Sequence, residues 1–265
     1  MFEKLFANKF TTLRRMIILM LAIGFLLFLI YQFIVITGHL LFIFLFIPML
    51  YKGYSPFLSA VIVAMLITIV TNYLIGGYSI KTVASILGTV IGVMVAGGVA
   101  VGFGYFTHIS GYNVSEVEEL VFVANNTNLK VGGILFAGIL IASLGAVMDV
   151  SISVASAINE VYVTNPNLSK KELFSSGMNV GRDIMGANAN TLILAYTGGA
   201  LNTLILIYVY SMKYNQLINM YSIGIEIMQG LSGIVAVVLT VPIVSFIASQ
   251  LLTNKSIKSA LQKEL

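Results

Sequence analysis

The chain has 265 residues, 58% of them hydrophobic and only 9% charged, and its mean hydropathy is +1.00. Soluble domains carry about 25% charged residues, so 14 basic and 10 acidic side chains exclude a soluble globular enzyme. The net charge of +4 is scattered along the chain and builds no nucleic-acid surface. Cysteine is absent, which excludes disulfides and thiolate-held metals.

From the N-terminus, residues 1–15 read as a basic leader. Phe2, Phe6, Phe10 and Leu13 share one helical face, with Lys4 and Lys9 elsewhere, a pattern suited to lying at a membrane interface. Residues 16–36 carry no charge. They are too long and too evenly apolar for a cleaved signal and read as a retained crossing. Thr37, Gly38 and His39 interrupt the run, and residues 40–50 resume it. Apolar stretches at 57–76, 82–106, 131–158, 191–211 and 227–252 follow, each long enough for about 30 Å of hydrocarbon. Two non-spanning pieces separate them. Residues 113–129 read as a short acidic amphipathic element, with Ser115 and Glu118 at capping-box spacing. Asn165-Pro166 ends a helix, and residues 168–182, opened by Ser169 and Glu172, read as a short helix between crossings. The fold class is therefore all-α: a polytopic transmembrane helical bundle of six or seven crossings, one domain over 16–252 and a tail over 253–265.

Basic residues orient it. Lys81, Lys170, Lys171, Arg182, Lys255, Lys258 and Lys263 fall on one side by parity, against Lys52, Lys130 and Lys213 on the other. The richer side, with the C-terminus, is expected in the cytoplasm of a cell membrane. Lys4, Lys9, Arg14 and Arg15 join it only if 16–50 crosses once, so the crossing number stays open.

Glycines mark the packing. Gly88 with Gly92 and Gly98 with Gly102 are two Gly-x-x-x-Gly pairs, a spacing that lets helix backbones approach closely. Gly145 and Gly186 are read as packing positions too.

The chemistry concentrates in 141–197. Asp149 is the acidic residue set deep in an apolar run. A carboxylate there costs several kcal/mol unless it is paired, hydrated or protonated, and by default it marks function. Gly145, Asp149, Ser153, Ser156 and Glu160 recur at helical steps and form one polar stripe, read as a proton or ion relay. Downstream, Asp183, Ala187, Asn190, Leu194 and Thr197 share a second face. Asn188 and Asn190 are amides able to bond Asp149 in either protonation state, and Arg182 with Asp183 read as a gate or ion pair near the boundary. The two stripes are expected to meet at the bundle centre. Asn72, Asp149, Asn190 and Asn202 are the polar groups expected around a substrate.

These residues resemble the YibE/F-like membrane proteins: Gly-Ala-Val-Met-Asp-Val (145–150), Glu-Leu-Phe-Ser-Ser-Gly-Met (172–178), Gly-Arg-Asp-Ile-Met-Gly (181–186) and Asn-Thr-Leu-Ile-Leu-Ala-Tyr (190–196). The resemblance implies a polytopic protein of the shorter, YibF type, with a longer YibE-like membrane partner carrying an extracytoplasmic domain, or a homo-oligomer. The order of intramembrane Asp, cytoplasmic helix and Asn/Thr-bearing crossing is also similar to half of a resistance-nodulation-division membrane domain, with SecD and SecF nearest. One departure is large: no periplasmic domain is expected after the first crossing, which argues against an export-pulling or efflux-duct role for this chain alone.

An aspartyl protease would need Asp149 and Asp183 at equal depth, yet Asp183 lies at the boundary beside Arg182. His39 and His108 are too far apart in sequence for a metal cluster, and no phosphate-binding glycine loop exists. The expectation is therefore a non-enzymatic, cofactor-free transport or proton-coupled permease subunit. The alternative is a membrane scaffold for a YibE-like partner.

Overall fold

The computed structural model describes Met20, Phe25 and residues 36–254. The leader, the first apolar run apart from those two residues, and the tail beyond Asn254 lie outside the described residues. Helix α1 (Ile36–Tyr51) contains a π-helical stretch at Phe42–Phe46. Pro48 follows it; proline has no N–H and its ring crowds the carbonyl four residues back, which widens the ladder locally. Then come α2 (Pro56–Gly76), α3 (Ile80–Thr107), α4 (Val117–Asn125), α5 (Ile134–Thr164), α6 (Lys170–Gly199), α7 (Leu201–Val209) and α8 (Tyr221–Thr253). A turn of 3-10 helix, Val131–Gly133, leads into α5.

By length and composition, α2, α3, α5 with its lead-in, and α8 are long and apolar enough to cross a bilayer, and α6 with α7 makes a fifth, bent by 58°. The described residues thus supply four or five spans, and α1 is a shorter apolar helix. The expected total of six or seven depends on residues outside them.

α8 lies against α3, α5 and α6, while α2 flanks α3 and α5. The core is built from Ala, Val and Leu with small hydroxyl residues between them, among them Thr89, Ser143, Ser151 and Thr240. Ser143 and Thr240 donate to carbonyls one turn back, at 2.7 Å each, so their hydroxyls are satisfied within their own helices. A Cβ on Gly88 would overlap Val244, and one on Gly92 would overlap Thr240 and Val147. That Gly-x-x-x-Gly pair is where α3 meets α5 and α8. Cβ atoms at Gly98 and Gly102 would meet nothing within 4 Å, so the second pair faces away from the other described helices.

Three sequence expectations change. Residues 168–182 are not a separate short helix: α6 runs unbroken from Lys170 to Gly199, because no proline interrupts it, and the break comes at Ala200 after Gly198-Gly199. Ser115 does not cap the acidic element; α4 starts after Glu116 with no side-chain cap. A capping box forms earlier, where the Ser110 backbone N–H donates to Asn113 Oδ1 at 2.8 Å. And the bundle centre is apolar with small hydroxyls; the two polar stripes do not occupy it.

Candidate functional site

Asp149 is the middle residue of α5. The buried positions of that helix, including Ser143, Val147, Val150, Ser151, Val154 and Ile158, form its inner face. At 100° per residue, the positions between them look the other way. Gly145, Asp149, Ser153 and Glu160 are accordingly exposed and Ser156 half-buried. The stripe exists as a single face, as its spacing predicts. It points away from this chain's core, and a Cβ on Gly145 would meet nothing within 4 Å.

On α6 the cap is as the sequence predicts. The Ser169 backbone N–H and hydroxyl both donate to Glu172 Oε2, at 2.8 and 2.7 Å. The backbone bond first, then the hydroxyl, hold the Glu172 carboxyl below its ordinary range. Glu172 lies in the first, Lys-rich turn, ahead of the apolar part of the helix. Leu173, Gly177, Gly181 and Leu192 are buried: Gly177 lies against Ile158 and Ser245, and Gly181 against Val241. This fixes the opposite face outward, so Arg182, Asp183, Gly186, Asn190, Leu194 and Thr197 are exposed. Gly186 has open space where a Cβ would be.

Gly177 lies against Ile158, while Ser143, Leu192 and Tyr196 all approach Gly233, so α5 and α6 run antiparallel. Interpolating between those anchors puts Asp149 at the height of the 186–190 segment. Asn188 is half-buried there, but its amide donates to Ile184 O of its own helix at 3.0 Å instead of reaching across to α5. The structure brings Asp149 and the Asn188–Asn190 pair to one height and, among the described residues, leaves the carboxylate exposed.

Two features escape the sequence reading. The first is a cavity of about 80 Å³ between the end of α2, the start of α3 and α5, lined by Asn72, Gly76, Lys81, Thr82, Ser85 and Ser156, with Ile75 and Ile152. Asn72 was expected near a substrate, but its neighbours Lys81 and Ser85 were not. The second is a groove of about 430 Å³ where the α6–α7 bend leaves α8, its walls almost wholly apolar except for Tyr196, Thr197, Thr203 and Glu226. Glu226 lies in the second turn of α8. The apolar run, read as starting at 227, placed it outside the membrane; only the helix start at Tyr221 draws it in. Asn202 is exposed on α7 and lines neither space.

No curated protein matches this chain, and no solved structure matches it, so neither comparison supports the likeness to a resistance-nodulation-division half. The family description that does match is "YibE/F-like protein", over residues 11–254. With that stretch covering nearly the whole sequence and containing every motif around Asp149, the chain belongs to the YibE/F-like family of membrane proteins.

Proposed function

We propose that the chain is the permease or ion-coupled subunit of a cell-membrane assembly, its C-terminus cytoplasmic, and that Asp149 is its proton-carrying group. The observation that carries this reading is a carboxylate at the middle of a helix long and apolar enough to span a membrane, on a face that the described residues leave exposed. Bare lipid there would cost several kcal/mol. Water or a second polypeptide therefore covers it. The cover is a second copy or a longer YibE-like chain, which meets α5 over Gly145 and Ser153. A carboxylate at such a seam is neutral when sealed and ionised when wetted, so its protonation is linked to helix arrangement. Ser153, Ser156 and Asn190 relay or hold the proton, while Glu160, Arg182 and Asp183 sit at the exit. Proton uptake by liposomes bearing the purified assembly tests it: Asp149→Asn abolishes uptake while folded protein is recovered in normal amounts. If uptake is undiminished, the carboxylate serves assembly alone and the scaffold reading takes its place.

A further inference from the structure

The small cavity at the α2–α3 corner has the chemistry of an anion site. Asn72 is 2% exposed, and neither its amide nitrogen nor its carbonyl oxygen has a hydrogen-bond partner. The Ser85 hydroxyl in the same wall is also buried without one. A buried amide left unpaired keeps the full cost of its desolvation, so something polar belongs in the space this side chain lines.

What belongs there follows from the rest of the lining. Lys81 and Thr82 are in the first turn of α3 and Ser85 in the next. The first-turn N–H groups of a 28-residue helix have no intrahelical acceptors and carry the positive end of its dipole. Ser79 caps one of them, accepting from Thr82 N at 3.3 Å. Lys81 adds a full positive charge, Asn72 an amide donor, and Ser85 and Ser156 hydroxyls. Among the described residues, no carboxylate lines the cavity. One cation, one helix N-terminus and several neutral donors without an acidic group favour a negative ligand over a cation.

We propose that this corner binds a small free anion of the size of chloride, nitrate or formate, held by Lys81, Asn72 and Ser85. A cavity of about 80 Å³ admits such an ion together with several waters, given roughly 10–15 Å³ of such space per water. The site stands apart from Asp149 and does not depend on the proton reading. Ser156, shared with the α5 stripe, is where the two adjoin.

The test uses the full chain in nanodiscs of phosphatidylcholine, which carries no net charge to compete. Thermal unfolding is followed while bromide, nitrate or formate replaces gluconate at constant ionic strength. A ligand bound only by the folded state raises the unfolding temperature saturably. The proposal expects that rise in the wild type, and about tenfold weaker apparent affinity in Lys81→Gln. It expects loss in Asn72→Leu, and no change in Asp149→Asn. Ser85→Ala, a minimal truncation, weakens binding without threatening the fold. Equal unfolding temperatures in gluconate and in the small anions overturn the proposal. So does a rise that survives both Lys81→Gln and Asn72→Leu; Asn72 is then satisfied by ordered water alone.

Discussion

Gly181 of α6 lies directly against Val241 of α8, so closely that a Cβ on the glycine would overlap the valine side chain. This contact opens the Gly-Arg-Asp-Ile-Met-Gly motif and turns Arg182 and Asp183 outward. Gly186, at the other end of the motif, has nothing within 4 Å of its would-be Cβ. The two glycines of one motif therefore do different work. Gly181→Val overpacks a buried seam and costs about 1–3 kcal/mol, read as a lower unfolding temperature in detergent. Gly186→Ala removes a flexible residue from a helix and leaves the isolated chain equally stable, or more stable by up to about 1 kcal/mol. Equal destabilisation by both would place α6 in a different rotation.

The open faces make a second prediction, about assembly. Gly145→Leu adds a side chain where this chain has only space. It leaves the stability of the isolated chain within about 0.5 kcal/mol of the parent, read as a nearly unchanged unfolding temperature. In native mass spectrometry of gently solubilised material, it reduces the oligomer in favour of the single chain. If the wild-type chain is already monomeric in mild detergents and nanodiscs, no partner covers α5.

Most of the element order is legible in the sequence because apolar length dominates in a bilayer: 57–76, 82–106, 131–158 and 227–252 each fall within an observed helix. The stripe around Asp149 is legible too, since helical spacing alone puts those residues on one face. Which way the face points is not. Rotation about the α5 axis is decided by the fit of Val147 and Ser151 against Gly92 and Gly88, and that fit depends on residues far away in sequence. The continuity of α6 was hidden for a related reason. Its polar first half resembles a surface helix, while its hydrogen-bond ladder has no proline to stop it. The Asn72 cavity needs three helices at once and leaves no local signal.

A third prediction concerns pH at the start of α6. The Glu172 carboxyl is held below its ordinary range by the Ser169 backbone N–H and hydroxyl. A carboxyl depressed on folding contributes stability above its unfolded pKa, and that contribution disappears as pH falls through the folded value. Protection of the first-turn amides of α6 against hydrogen exchange, taken relative to the intrinsic rate at each pH, should therefore fall in acid, below the ordinary glutamate range. Glu172→Gln removes this acid-side step and frays the turn at neutral pH. An acid step that persists in Glu172→Gln belongs to another group.

The last prediction asks whether water reaches Asp149, and from which side. The chain has no cysteine, so single cysteines report without interference. A thiol reacts with a membrane-impermeant methanethiosulfonate only as thiolate, and a thiolate forms only where water enters. Ser156→Cys borders the polar cavity and should label readily in sealed vesicles from one side. Asp149→Cys should label from that same side, more slowly, because it lies seven residues, about 10 Å of helix rise, further along α5. Ile139→Cys, in the same helix but fully buried, should stay unlabelled. Slow one-sided labelling is what a gated proton site requires. The membrane potential contributes about 2.3 kcal/mol per charge at 100 mV, and it biases the site only if the carboxylate is wetted from one face at a time. Labelling of Asp149→Cys from both sides at equal rates makes the stripe an open water-filled seam. No labelling from either side, with Ser156→Cys reactive, makes Asp149 a dry contact between chains.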